Sequence, residues 1–187
     1  MPFEHFDWLA SIYDGVIRDF SSLETMVSLA DLPVKGRLLE AGGGTGRVAA
    51  ALRRQAEEIV IADLSLGMLR QAASKDGLKL ACAYSERLPF PDGAFERVVM
   101  VDALHHVLDQ SATASELWRV LKPGGRIVIQ EPDVRRFSVK LVALFEKLAL
   151  MRSHFLPPAQ IAGLFAFDGA RAQVISEDNG AWIVVGK

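Results

Sequence analysis

The chain of 187 residues holds a single cysteine, Cys82. One thiol excludes an intrachain disulfide framework and a cysteine-based zinc site. Cys82 itself lies in an apolar run and is expected as a small core residue. Aromatic residues make up only 8% of the chain and hydrophobic residues 50%, so the interior should be aliphatic, as in a sheet sandwiched between helices. Basic residues are not in excess: 21 lysines and arginines stand against 23 acidic residues, a net charge of −2. A nucleic-acid binder normally carries a basic stripe, and the one local cluster is Arg135-Arg136 with Lys140 nearby. No apolar stretch approaches the roughly eighteen residues of a membrane span. The start, Met1-Pro2-Phe3-Glu4-His5, lacks the basic and apolar parts of a secretory signal. These absences make a cytoplasmic protein the expectation, with no nucleic acid and no membrane span.

What is present is an alternation of short aliphatic runs with helical patterns, the signature of a parallel α/β sheet. Strands are expected at Arg37–Ala41, Glu58–Asp63, Lys79–Tyr84, Arg97–Val101 and Arg126–Glu131. Their runs are mostly continuous, as when helices cover both faces of the sheet. Helices are expected at Gly46–Gln55, Leu66–Ser74 and Ser111–Leu121, and a further one at Val139–Met151. In the third, Ala114, Leu117, Trp118 and Leu121 share one face, and Lys122-Pro123-Gly124-Gly125 stops it. Near the C-terminus, Ala172–Ser176 and Ala181–Gly186 flank Asp178-Asn179-Gly180. Asn-Gly is a strong hairpin signal, because a type I′ turn needs positive φ at both central residues. The fold class is therefore α/β: a Rossmann-like sheet of seven strands, five parallel plus a C-terminal antiparallel hairpin, with helices on both faces. Residues Phe6–Ala30 read as amphipathic helices expected to lie across the top of the sheet.

In an open α/β sheet, ligands bind outside the carboxyl ends of the strands. The first strand ends in the glycine cluster Gly42–Gly46, where missing side chains let the backbone approach a ligand. The second ends in Asp63, an acid able to grip two ribose hydroxyls. Together they imply a nucleoside-containing cofactor. A strict G-x-G-x-x-G from Gly42 fails at Arg47, but a looser G-x-G-x-x-A fits Gly44, Gly46 and Ala49. The loop by itself therefore leaves NAD open.

The surrounding motifs are more specific. Leu38-Leu39-Glu40-Ala41-Gly42-Gly43-Gly44-Thr45-Gly46 resembles the first motif of class I S-adenosylmethionine-dependent methyltransferases. Asp63-Leu64-Ser65-Leu66-Gly67-Met68-Leu69 resembles their second, and Ser85-Glu86-Arg87-Leu88-Pro89-Phe90 the segment after their third strand. Leu104-His105-His106-Val107 and Arg119-Val120-Leu121-Lys122-Pro123-Gly124-Gly125 follow in the family's order. The set spans Leu38 to Glu131 and is most similar to the small-molecule group that includes the ubiquinone and menaquinone biosynthesis C-methyltransferases. Phe6-Asp7-Trp8-Leu9-Ala10-Ser11-Ile12-Tyr13-Asp14 also resembles that group. The resemblance implies one domain over 1–187: N-terminal capping helices (1–30), a cofactor-binding core (31–131), then substrate-side helices and the hairpin (132–187).

It implies S-adenosylmethionine as methyl donor, S-adenosylhomocysteine as product and a small-molecule acceptor. Glu40, Gly42, Gly44 and Thr45 would shape the loop beside the methionine part. Asp63 would take the ribose hydroxyls, and Leu64 and Met68 would pack near the adenine. Tyr84, Ser85 and Glu86 stand where the family has Asp-Ala-Glu or Asn-Ala-Glu beside the adenine, and Tyr84 is a departure: it either stacks, points elsewhere or belongs to the core. Val101 and Asp102 would lie near the sulfonium, and Tyr13 near the cleft mouth.

Methyl transfer from a sulfonium needs chiefly alignment and a dry site. A base is required only where the acceptor must lose a proton. His105 and His106 are the candidates for that role, since an ordinary histidine titrates near neutral pH; the alternative is that they cap the next helix or satisfy a carbonyl. Glu131 either faces the substrate or pairs with Arg135 or Arg136. The two adjacent histidines are not expected to share a metal ion. Phe137, Leu141, Leu144, Phe145, Leu148, Phe155 and Phe165 either line an acceptor pocket or belong to the core, the latter preferred. A non-catalytic S-adenosylmethionine-binding protein or partner subunit is the second functional reading.

Overall fold

The computed structural model describes residues 21–136, 153–177 and 180–187. Its strands are β1 (Val34–Ala41), β2 (Ala56–Asp63), β3 (Leu78–Cys82), β4 (Phe95–Val101), β5 (Leu121–Pro132), β6 (Arg171–Ser176) and β7 (Gly180–Gly186). They form one sheet in the order β3-β2-β1-β4-β5-β7-β6. The first five pair in parallel, and β7 joins β5 and β6 antiparallel. The helices are α1 (Ser21–Leu29), α2 (Arg47–Leu52), α3 (Leu66–Ala72), α4 (Gln110–Val120) and α5 (Pro158–Gly163), with a 3₁₀ turn at Leu104–His106. The expected α/β sheet of five parallel strands and a hairpin is the fold observed.

Successive residues of each central strand serve opposite faces, as the two-residue period requires. Leu39, Val98, Ile127 and Ile183 pack with Phe95, Leu117 and Phe165 on one side. Leu38, Val99, Val128 and Trp182 pack with Met26, Leu52 and Ile61 on the other. Two covered faces explain why the strand runs read as continuous rather than alternating. The chain moves outward from β1 through β2 to β3, then returns to place β4 on the other side of β1. That reversal opens a crevice between the carboxyl ends of β1 and β4.

Helix α4 buries Thr113, Ala114, Leu117 and Val120; of the anticipated face Ala114 and Leu117 are buried in it, Trp118 is partly buried and Leu121 belongs to β5. Asp109 caps it, accepting the Ala112 N–H at 2.9 Å. Asp109→Ala is expected to cost about 1 kcal/mol of stability in chemical denaturation. The helix gives way directly to β5, which begins at Leu121 instead of Arg126. Leu121 pairs with Phe95, and the Pro123-Gly124-Gly125 stretch is absorbed as a register shift before Arg126 meets Arg97.

Three expectations are corrected. Cys82 is exposed, because β3 is an edge strand and its burial is only partial. Asp178 and Asn179 of the expected turn lie outside the described residues, and Gly180, read as part of that turn, is the first residue of β7, with the Glu177 N–H donating to its carbonyl at 2.9 Å. Of the N-terminal helices, the described part, α1, lies against a sheet face with Met26 and Ala30 buried. It ends at the amino edge of the sheet, where Arg126 and Arg97 donate to the carbonyls of Leu29 and Ala30 at 2.8 and 2.6 Å, so this part does not cross the top. Phe165 is core, enclosed beside Ile161, as the preferred reading had it. The Val139–Met151 helix and Phe137 to Leu148 lie outside the described residues.

Candidate cofactor cleft

At the end of β1 the backbone turns through Gly42 and Gly44, at φ +66° and +53°. A Cβ on Gly44 would project into open space, with only the Met68 Sδ within reach at 4.0 Å. This glycine therefore keeps the cleft floor clear as well as tolerating the left-handed turn. Asp63, at the end of β2, fastens the loop: its two carboxylate oxygens accept the Gly44 and Ser65 N–H groups, both at 2.8 Å. From behind, Lys75 Nζ donates to the Thr45 carbonyl at 2.6 Å. Parallel strands end at one edge, so residues nineteen apart in sequence meet here without a long connection.

Glu40 is buried on β1 and accepts the Ala49 N–H of α2 at 2.8 Å. Burial pushes its carboxyl up to about 8, with the Ala49 bond and the Arg47 charge opposing. A folded value above the ordinary 4.5 means the native state holds this proton more tightly than the unfolded chain. The stability it contributes is complete below about pH 4.5 and is lost as pH rises through about 8. Glu40→Gln keeps an acceptor for Ala49 and removes the titration. The variant is expected to show a flatter fall in Tm between about pH 5 and about pH 9 than the parent, by thermal melts across that range.

Loops after β1 to β4 enclose a cleft of about 210 Å³. Glu40, Gly42, Gly44, Thr45, Asp63, Leu64, Met68, Tyr84, Ser85, Glu86, Val101, Asp102 and His106 all line it, as the sequence reading had grouped them. Tyr13 lies outside the described residues. Tyr84 is 45% exposed at the cleft wall, which removes the core alternative. Ser85 is buried. Glu86 reaches across to the start of α4, its Oε1 accepting the Leu108 and Asp109 N–H groups at 2.7 and 3.2 Å.

The two histidines part company. His106 lines the cleft, its Nδ1 lying 3.4 Å from Ser153 Oγ. Burial and the adjacent His105 push it down to about 3. It is therefore a neutral hydrogen-bonding imidazole near pH 7 and not the readily protonated base that an ordinary histidine would be. His105, its ring 4.0 Å from that of His106, does not line the cleft: it is buried, stacked on Phe155 at 4.3 Å, with Nδ1 2.5 Å from Glu131 Oε2. The Glu131 carboxylate thus takes His105 and not Arg135. The latter holds the buried Asp133 carboxylate at 2.7 Å.

Arg47, Ser65, Met100, Ala103, Val107 and Leu108 also line the cleft and were given no role from sequence. Most lie within a few residues of a nominated position or a strand end. Proximity to the carboxyl end of a parallel strand is the signal that would have found them.

Residues 39–129 match a family described as Methyltransferase domain. A demethylmenaquinone methyltransferase from Mycolicibacterium vanbaalenii is 35% identical, the alignment covering 78% of this chain and 68% of that protein. The chain belongs to the S-adenosylmethionine-dependent methyltransferases. A ubiquinone/menaquinone biosynthesis C-methyltransferase from Stenotrophomonas maltophilia is 32% identical over 81% of this methyltransferase and 61% of its own length. A solved S-adenosylmethionine-dependent methyltransferase from Thermotoga maritima has a TM-score of 0.82 at 20% identity, covering 100% of this chain and 99% of that one, a likeness of fold. The methyltransferase spans about three-fifths to two-thirds of the length of the curated relatives it matches. The cofactor is accordingly S-adenosylmethionine, and the NAD alternative left open by Gly44, Gly46 and Ala49 closes. Among the described residues no helix is long and apolar enough to cross a membrane.

Proposed function

We propose that this methyltransferase passes the methyl group of S-adenosylmethionine to a small quinone-type acceptor, and that the cleft above β1 and β4 is where it does so. The observation that carries the acceptor class is the 35% identity to a demethylmenaquinone methyltransferase over 68% of that protein's length. The fit of the cofactor is supported by the glycine floor, where a Cβ at Gly44 would occupy the cleft, and by the carboxyl groups of Glu40 and Asp63 in its wall.

When bound, S-adenosylmethionine supplies a methyl group already attached to a good leaving group, so the protein's work is binding, alignment and exclusion of water. Glu40, Gly42, Gly44 and Thr45 would hold the methionine part. Asp63, which already accepts the Gly44 and Ser65 N–H groups, would take the ribose hydroxyls, a carboxylate having about four lone-pair sites in all. Leu64 and Met68 would flank the adenine, Ser85 and Glu86 would close its far side, and the exposed Tyr84 ring would cover it. Val101 and Asp102 would border the sulfonium. His106, neutral and in the cleft wall, would accept a hydrogen bond from an acceptor hydroxyl. The non-catalytic alternative has no observation in its favour.

Glu40 adds a signature. A cationic ligand beside a carboxyl that holds its proton to about pH 8 would release that proton. Binding heats measured near pH 7 should therefore vary with the ionisation enthalpy of the buffer, and in Glu40→Gln they should not.

The decisive assay incubates the protein with S-adenosylmethionine and demethylmenaquinol and follows the quinone by mass spectrometry. One added methyl group per acceptor is expected. Cofactor binding by folded protein with no methylated quinone would overturn the acceptor assignment.

A further inference from the structure

We propose that Glu131 is a positioning residue: one buried carboxylate fixes the turn from Ala103 to His106, and with it the His106 imidazole, between the cleft and the chain at Ser153–Phe155. Three donors converge on it. Its Oε1 accepts the Ala103 and Leu104 N–H groups at 3.0 and 2.7 Å, and its Oε2 lies 2.5 Å from His105 Nδ1. The side chain is 3% exposed, and a carboxylate is costly to bury unless such partners compensate it. What it secures is a three-residue turn, too short to hold itself, that follows Asp102 in the left-handed region at φ +48°. A non-glycine residue keeps that conformation only where its surroundings enforce it. Asp102 is tied to Gln130 on β5, its N–H donating to the Gln130 carbonyl at 3.0 Å. Glu131, the next residue of β5, holds the turn beyond it.

The far side of the turn is equally engaged. The His105 ring stacks on Phe155 at 4.3 Å and 15°, and its carbonyl accepts the His154 N–H at 2.7 Å. Gln110 Nε2 bridges the carbonyls of Leu104 and His154 at 3.0 and 2.7 Å. Ser153 Oγ approaches His106 Nδ1. The turn therefore supplies Ala103, His106 and Val107 to the cleft wall on one side and carries residues 153–155 on the other. Glu131 anchors this assembly to the sheet through both backbone and ring. The inference rests on the proposed methyl transfer for its turnover measurement alone.

The first test uses protein with isotope-labelled histidine and follows the His106 ring by NMR against pH. In the parent the ring should stay neutral far below the ordinary histidine value, reflecting its burial beside His105. Glu131→Ala should release the turn and return His106 to titration near the ordinary value, whereas Glu131→Gln, which still accepts both backbone N–H groups, should resemble the parent. The second test is turnover of demethylmenaquinol. Glu131→Ala is expected to lose about 100-fold in kcat, the scale of a roughly 1 Å misplacement, with S-adenosylhomocysteine affinity within about threefold of the parent. In a His106→Ala background the same substitution should cost nothing further, since the residues act as a unit. His105→Phe keeps the stack on Phe155 and drops the carboxylate contact. Both backbone bonds to Glu131 remain in it, so it should show a smaller loss that likewise vanishes in the His106→Ala background, and it serves if Glu131→Ala does not fold. Unchanged His106 titration in folded Glu131→Ala, or an undiminished loss in the His106→Ala background, overturns the proposal. Failure to methylate the quinol would count against the acceptor assignment and leave the titration result to decide the positioning.

Discussion

Gly44→Val is expected to abolish measurable binding of S-adenosylhomocysteine while leaving the protein folded. Two independent effects combine. At φ +53° a β-branched residue is strained, at a cost of about 1–2 kcal/mol in the left-handed region. The new methyl groups would also stand in the cleft, since nothing but the Met68 Sδ lies within 4 Å of the added Cβ. The same openness means the substitution meets no packed core atom, so the fold bears the backbone strain but no overpacking. Gly44→Ala takes the smaller step, and about a tenfold loss of affinity is expected, on the scale of the strain alone. Calorimetric titration of both variants separates strain from occlusion.

Asp63→Ala should weaken the same ligand by at least about 100-fold, because hydrogen bonds to a charged group are worth about 1.5–3 kcal/mol each. The carboxylate now holds the Gly44 and Ser65 N–H groups at 2.8 Å each. Its removal frees the glycine loop from the start of α3 and deletes the proposed ribose acceptor in one change. Asp63→Asn retains an oxygen for one of the two loops but offers an NH₂ group to the other, and about a tenfold loss is expected on the same scale. A result in which alanine and asparagine behave alike would mean that charge, and not the loop geometry, is what the ligand senses. Equal binding by all three proteins would remove Asp63 from the site.

The parts of this protein legible from sequence are those set by local chemistry and by strand direction. Gly42–Gly46 and Asp63 could be joined into one site before any coordinates, because parallel strands deliver their carboxyl ends to one edge. The helix ending before Lys122-Pro123-Gly124-Gly125 was legible for the same reason, since proline and glycine act on the residues beside them. What escaped depends on lateral order and on partners distant in sequence. An apolar run such as Leu80–Ala83 looks the same in an edge strand as in a central one, so the exposure of Cys82 was hidden. His105 and His106 are indistinguishable by type and adjacent in the chain. Their separation into a buried anchor and a cleft residue follows from Glu131, twenty-six residues beyond His105. Glu131 itself was read against the arginines that follow it, whereas Asp133 takes Arg135 by a local contact only two residues long. Gly180, read as part of the turn, opens β7 instead, where its would-be Cβ lies a close 3.4 Å from the Glu131 carbonyl.

Methyl transfer by this protein requires that the cleft bind the methyl donor. Titration of the folded protein with S-adenosylhomocysteine in a calorimeter should give saturable binding at one site with Kd on the order of 10 μM, abolished in Gly44→Val and strongly weakened in Asp63→Ala. No heat and no thermal stabilisation with either S-adenosylhomocysteine or S-adenosylmethionine, in protein shown to be folded, would contradict it.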